Sequence, residues 1–149
     1  MYPVKVAKVA EALGGTRTLR AELRSLGELT EAVGHGLPRG VVRALASAVV
    51  PDGDKASPLR RQVEALVASP ATLKRSPRLS AAASERAERL ARIAALAAQA
   101  LGEAAEAKAW LTEPHPLLGN RPPIEVAATD LGARQVERML VNIEYGLPA

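Results

Sequence analysis

Ser80-Ala81-Ala82-Ala83-Ser84-Glu85-Arg86-Ala87-Glu88-Arg89-Leu90-Ala91-Arg92-Ile93-Ala94-Ala95-Leu96-Ala97-Ala98-Gln99-Ala100-Leu101-Gly102 is the stretch that decides the fold class. Alanine, leucine, glutamate and arginine lose little freedom in a helix, and few β-branched residues interrupt them. Ser80 is an N-cap and Gly102 a stop. Leu90, Ile93, Ala94, Ala97 and Leu101 recur at helical spacing and form a buried stripe. Glu85, Arg86, Glu88, Arg89 and Arg92 read as the wet face, with Glu85–Arg89 and Glu88–Arg92 at favourable i,i+4 spacing. The small residues permit close helix approach, which suits a core helix or a dimer seam; the core reading is favoured. Arg92 and Gln99 interrupt the stretch too soon for a membrane span.

The rest of the chain speaks the same language. It has 149 residues, no Cys and no Phe, so its core must be aliphatic and carries no disulfide or thiol. A chain of this size buries roughly 70% of its unfolded surface. Val6, Val9, Ala10 and Leu13 mark a first helix stopped by Gly14-Gly15. Leu19, Leu23 and Leu26 mark a second, and Ser25 with Glu28 forms a capping box for a third carrying Leu29 and Val33. Whether the second and third are separate or one kinked helix is open. Pro38 is placed as a first helical residue, and Leu37, Val41, Val42, Leu45 and Val49 make an apolar stripe. Pro51-Asp52-Gly53-Asp54 reads as a turn.

Ser57-Pro58 and Ser69-Pro70 are two start signals in close succession. The first opens a helix with Leu59, Val63, Leu66 and Val67 inward. The second opens a short one, Ala71-Thr72-Leu73-Lys74-Arg75, closed by Ser76-Pro77. Two short helices joined so tightly cross steeply, the local signature of a helix-turn-helix. On that reading Thr72, Lys74, Arg75 and Arg78 face DNA phosphates and base edges. The alternative is a helical corner with a solvated basic rim. The basic charge lies in the first half, where a nucleic-acid footprint would be, although an ordinary solvated basic surface has the same pattern: residues 1–80 hold 13 Lys/Arg against 7 Asp/Glu, whereas residues 81–149 hold 7 against 9.

Downstream, Glu103 to Leu111 is a further helix with Ala107, Trp110 and Leu111 on its apolar side. Pro114, Pro116 and Gly119 make a loop, in which Asn120 and Arg121 either shape the backbone or touch a partner. A short helix follows at Pro123 to Ala127. Asp130 is the expected cap of a last helix from Gly132 to about Tyr145, with Val136, Met139, Leu140 and Ile143 inward. Arg134, Glu137, Arg138, Val141, Asn142 and Tyr145 lie on or beside the other face. Beyond it Tyr145, Leu147 and Pro148 form an apolar tail that either docks on this protein or enters a partner.

Catalytic chemistry finds no constellation. The two histidines, His35 and His115, sit in Gly- or Pro-bounded loops without a nucleophile or an orienting carboxylate at triad spacing. No His or carboxylate set has metal-ligand spacing, and Asp52 and Asp54 lack the later ligands of a calcium loop. An enzyme, a resident cofactor and a metal are therefore not expected. The opening Met1-Tyr2-Pro3-Val4-Lys5 lacks the long apolar segment of a signal peptide, so a cytoplasmic protein is expected.

The order of motifs resembles a known family. After the capped short helix pair and the Leu79-Ser80 start of the long helix come Ala109-Trp110-Leu111 and Pro114-His115-Pro116-Leu117-Leu118-Gly119-Asn120-Arg121-Pro122-Pro123-Ile124-Glu125. Then follow Gly132-Ala133-Arg134-Gln135-Val136-Glu137 and Ile143-Glu144-Tyr145-Gly146. This series resembles the Xre/MbcA/ParS antitoxins of bacterial RES-type toxin–antitoxin systems, most specifically over residues 84–149. The turn before the expected recognition helix departs from the family pattern in lacking its usual glycine.

The resemblance implies an all-α fold: an Xre-like helix-turn-helix region over residues 1–80, for dimerisation and DNA binding, and a helical toxin-binding domain over residues 81–149. It implies a RES-domain toxin as partner, a NAD-degrading or ADP-ribosylating protein, whose NAD pocket is covered by the last helix and tail. The contact residues would be Arg138, Asn142, Glu144, Tyr145, Gly146, Leu147, Pro148 and Ala149, with the terminal carboxylate available to cationic groups of the pocket. It also implies a homodimer and repression of the protein's own promoter. The competing readings are a stand-alone helix-turn-helix regulator and an adaptor with no DNA role.

Overall fold

A computed structural model describes residues 2–51 and 57–147. Among them lie ten α-helices: α1 Val6–Ala12, α2 Gly15–Leu19, α3 Leu26–His35, α4 Gly40–Val49, α5 Pro58–Ala65, α6 Pro70–Arg75, α7 Ala81–Leu101, α8 Ala104–Thr112, α9 Pro123–Val126 and α10 Asp130–Glu144. The fold is all-α. The turn expected at Asp52-Gly53-Asp54 lies outside the described residues.

The central element is α7. The Ser80 hydroxyl accepts from the Ala83 N–H at its start, and the helix stops at Gly102, as its sequence expects. Leu90, Ile93, Ala94 and Ala97 are buried as expected, joined by Ala83, Ala87, Ala91 and Leu96, while Leu101 is only partly covered. With so many alanines, α7 buries nearly its whole circumference. It packs against α1, α3, α4, α8, α9 and α10, helices from both before and after it in the chain. It is thus a core helix within this chain.

The charged side of α7 is a departure from expectation. Of the five residues read as wet, only Glu85 is exposed; Arg86, Glu88, Arg89 and Arg92 are half-buried. Arg86 Nε donates to the Val67 carbonyl at 2.9 Å, and Arg89 Nη1 to the Ala128 carbonyl at 2.8 Å. These arginines bolt the end of the α5 segment and the α9–α10 turn onto α7. Their aliphatic stems cover alanine surface while the guanidinium groups satisfy carbonyls left open beyond helix ends. The Glu88–Arg92 pair forms, at 3.5 Å.

Caps explain most boundaries. Ser25 and Glu28 form the reciprocal capping box of α3, and Ser57 and Ser69 cap α5 and α6 with Pro at the first turn. Three boundaries differ from the sequence reading. Arg20, with φ 57°, ends α2 at Leu19, so α2 and α3 are separate and the buried Leu23 is a loop residue. Helix α4 begins at Gly40 because Pro38 is occupied elsewhere. There the Arg39 N–H donates to the Pro77 carbonyl at 2.9 Å, and the Leu79 N–H to the Leu37 carbonyl at 2.8 Å. This pairing staples the α3–α4 link to the α6–α7 link. The cap of α10 is Thr129, whose hydroxyl accepts from the Gly132 N–H at 3.0 Å; Asp130 is the first helical residue instead and pairs with Arg134 at 3.3 Å.

Between α8 and α9 the proline loop is tightly folded. His115 Nδ1 accepts from the Leu117 N–H at the start of a single 3₁₀ turn, and His115 pairs with Arg121 through the backbone. Arg121 reaches Glu125 at 3.2 Å and Asn120 sits at φ 59°, so both help shape the loop. Trp110 is partly buried and meets the His115 ring edge-on, with centroids 6.0 Å apart.

Candidate functional site

Two surfaces hold the residues that sequence reasoning singled out. The first is α10 with the turn after it. Ala133, Val136, Met139 and Leu140 are buried, with Ile143 partly so. One flank is pinned to α7 at two levels about two helical turns apart. Arg92 forms an ion pair with Glu137 at 2.9 Å, and Gln99 Nε2 donates to the Glu144 carboxylate oxygens at 2.9 and 3.1 Å. The register of α10 is fixed by this packing, and a single stripe is left facing outward.

That stripe is Leu131, Arg134, Arg138, Val141 and Tyr145, placed together by the i, i+3 and i+7 spacing of a helix. Leu131 is 80% exposed, Val141 37% and Tyr145 75%. Of the six large exposed hydrophobic residues among the described ones, four lie between residues 131 and 147, so the uncovered apolar surface is concentrated here. Arg138 has no ion pair among the described residues. An apolar stripe flanked by arginines is the composition of a protein interface, in which aromatic rings and arginines act as anchors.

The turn after α10 is ordered by its own backbone. The Leu147 N–H donates to the Asn142 carbonyl at 2.7 Å and the Gly146 N–H to the Ile143 carbonyl at 3.0 Å. This is a Schellman motif, and it needs Gly146 in the left-handed region, where φ is 70°. It turns Tyr145 and Leu147 outward: Leu147 is 56% exposed, so neither ring nor leucine folds back onto this protein's core. The expected contact residues are therefore unequal. Arg138, Tyr145 and Leu147 present side chains to solvent, Asn142 and Gly146 build the turn, and Glu144 is held by Gln99. Pro148 and Ala149 lie outside the described residues. Sequence reading missed Leu131 because it began the helix at Gly132, two residues too late. Its seven-residue spacing to Arg138 and Tyr145 is the signal that would have found it.

The second surface surrounds α6, none of whose residues is fully buried. The structure splits the four expected DNA contacts. Thr72, Arg75 and Arg78 line one hollow, whereas Lys74 turns into a different cleft with Arg39 and Arg43 of the α4 segment. The Thr72 hydroxyl takes a hydrogen bond from Arg75 Nη2 at 3.2 Å and lies 2.8 Å from Ser69 Oγ. Arg78 Nη1 donates to the Gly36 carbonyl at 2.8 Å, which ties it to the fold. Lys74 has no such tie among the described residues.

Among the described residues no three His, Asp or Glu side chains converge to hold a metal ion, and no helix is long and apolar enough to cross a membrane. No curated protein matches the chain. Residues 96–146, from the second half of α7 to the Schellman turn, match the family model of the antitoxin Xre/MbcA/ParS C-terminal toxin-binding domain, the same family that the order of motifs in the sequence resembles.

Proposed function

We propose that the chain is a cytoplasmic, non-enzymatic antitoxin that neutralises a cognate RES-domain toxin, covering the toxin's NAD pocket with the outer face of α10 and the turn beyond it. The observation that carries this reading is the uncovered stripe from Leu131 to Leu147 inside the matched toxin-binding segment. A helix whose inner face is core and whose outer face is also apolar has a second surface to bury. Tyr145 and Leu147 stand on a short backbone-bonded tip, a shape that enters a pocket with little entropy left to lose. Homodimerisation and repression of its own promoter complete the proposal, supported by the basic first half of the chain.

The test is co-expression with the product of the adjacent reading frame. That product should arrest growth and deplete NAD, or transfer ADP-ribose, and this chain should prevent both. Tyr145→Ala should leave stability within about 0.5 kcal/mol, because the ring is exposed. It should nevertheless weaken toxin affinity by roughly 30-fold, the loss of about 2 kcal/mol that an aromatic anchor contributes. A chain lacking residues 144–149 that protects as well as the full chain would overturn the pocket-covering mechanism. A neighbour that arrests growth without touching NAD would remove the RES assignment and leave the antitoxin reading.

A further inference from the structure

Beyond the short helix α6, the structure holds a basic cleft that sequence reasoning did not single out. It lies between the start of α4 and the α5–α6 corner, with a volume of about 700 Å³, and brings together Arg39, Arg43 and Lys74 from segments more than 30 residues apart. Its wall continues past Arg43 and Glu64 into a second hollow that holds Arg60 and Arg61. Glu64 is the one carboxylate lining these two hollows among the described residues, and it lies 4.0 Å from Arg60 Nε.

Two of these cations have no structural employment. Arg60 is committed, donating to the Arg43 carbonyl at 3.0 Å and to Ser47 Oγ at 2.8 Å, and Arg39 donates one edge of its guanidinium to the Leu73 carbonyl at 3.1 Å. The side chains of Arg43 and Lys74 are exposed and make neither ion pair nor hydrogen bond among the described residues. Cations held near one another without partners repel, a cost that a bound polyanion removes.

We propose that this cleft seats the phosphodiester backbone of duplex DNA, with Arg43 and Lys74 contacting phosphates and Arg39 bracing α6 beside them. The inference rests on the reading that the chain binds DNA. It changes where the backbone runs: through the α4–α6 cleft, in addition to the Thr72–Arg75 side of α6. Concavity favours a narrow ridge of phosphates over a flat lipid surface. Among the described residues none of the large exposed hydrophobic ones borders the cleft, and amphipathic membrane binding needs such residues. These contacts are to phosphates, so they carry affinity and register without sequence preference.

The test compares the full chain with Arg43→Ala, Lys74→Ala, Arg43→Lys and Arg75→Ala, titrated against its own promoter duplex, an unrelated duplex and phosphatidylglycerol vesicles over a range of salt. Arg43→Ala and Lys74→Ala should each weaken both duplexes alike, by about fivefold at moderate salt, and reduce the slope of log affinity on log salt by about one. Arg43→Lys should restore most of the binding, since a phosphate accepts either cation. Thermal unfolding should be unchanged in the variants at Arg43 and Lys74, because neither side chain is tied into the fold. Steep, salt-sensitive binding that falls with Arg75→Ala but not with the two cleft variants would overturn the cleft and leave the DNA reading standing. If the unaltered chain binds no duplex, or binds only the vesicles, the DNA reading fails and the cleft proposal with it.

Discussion

Tyr2 shows how much one side chain can connect. Its hydroxyl donates to Glu88 Oε2 at 2.7 Å, and the Arg92 guanidinium lies 5.8 Å from its ring centroid. Arg92 in turn reaches Glu137 of α10, so the start of the chain, α7 and α10 meet at one cluster. Burial first, and then the neighbouring Glu88 carboxylate, push the Tyr2 phenol well above its ordinary value. A group whose folded value is raised contributes stability in full below its unfolded value, about pH 10, and loses it as pH rises through the folded one. The unaltered chain should therefore lose stability above about pH 10 relative to Tyr2→Phe, while near neutral pH Tyr2→Phe should be less stable by ~1 kcal/mol. Urea unfolding at a series of pH values reads both signs. Ser84 is a second such residue. It is fully buried, and its hydroxyl accepts from the Leu37 N–H at 2.8 Å. Ser84→Ala leaves that N–H without a partner and should cost about 1–3 kcal/mol, seen as a lower urea midpoint with an unchanged slope.

At the scale of elements, the aim of α10 depends on how closely it starts against α9. A Cβ at Gly132 would overlap the Val126 carbonyl oxygen and crowd Thr129 Oγ1. A backbone carbonyl cannot swing aside as a side-chain tip can. Gly132→Ala should cost ~3 kcal/mol and lower Tm by about 10 °C in a thermal scan. It should also tilt the stripe bearing Arg138 and Tyr145 and weaken toxin binding, whereas the neighbouring Leu131→Ala should weaken toxin binding without the thermal loss. The same scale separates what was legible locally from what was not. Capping is local chemistry, so Ser25, Ser57, Ser69 and Ser80 could be read as helix starts from a few neighbouring residues. The delayed start of α4 was not legible, because the pairing that holds Pro38 involves Arg78, 40 residues away in sequence. The sequence spacing of Leu19, Leu23 and Leu26 suited a helix, but the left-handed Arg20 breaks it.

At the scale of the whole molecule, the boundary at residue 80 divides proposed roles and not cores. One hydrophobic cluster runs from Val4 through α7 to Leu140. Helix α7 belongs to both sides, and the bolts through Arg86, Arg89 and Arg92 fasten the helices before and after it. Urea unfolding should consequently be a single transition. Fluorescence of Trp110, which stands on α8, and far-UV circular dichroism, which weighs every helix, should give the same midpoint. Two separated midpoints would mean that the halves fold independently. Such a shared core also gives the outward stripe of α10 and the basic cleft one rigid frame.

Composition, caps and periodicity in the sequence alone determined an all-α chain, the long central helix and its buried stripe, and the inward face of the last helix. The order of its C-terminal motifs also pointed to the antitoxin family. These are properties of residues within one or two turns of each other. The tertiary structure decided which charged residues are solvated and which are bolts, because burial depends on what packs above a side chain. It decided that Tyr145 and Leu147 turn outward, through hydrogen bonds that close only once Gly146 takes its left-handed turn. It alone brought Arg43 beside Lys74, since charges distant in sequence share a surface only after the chain between them has folded.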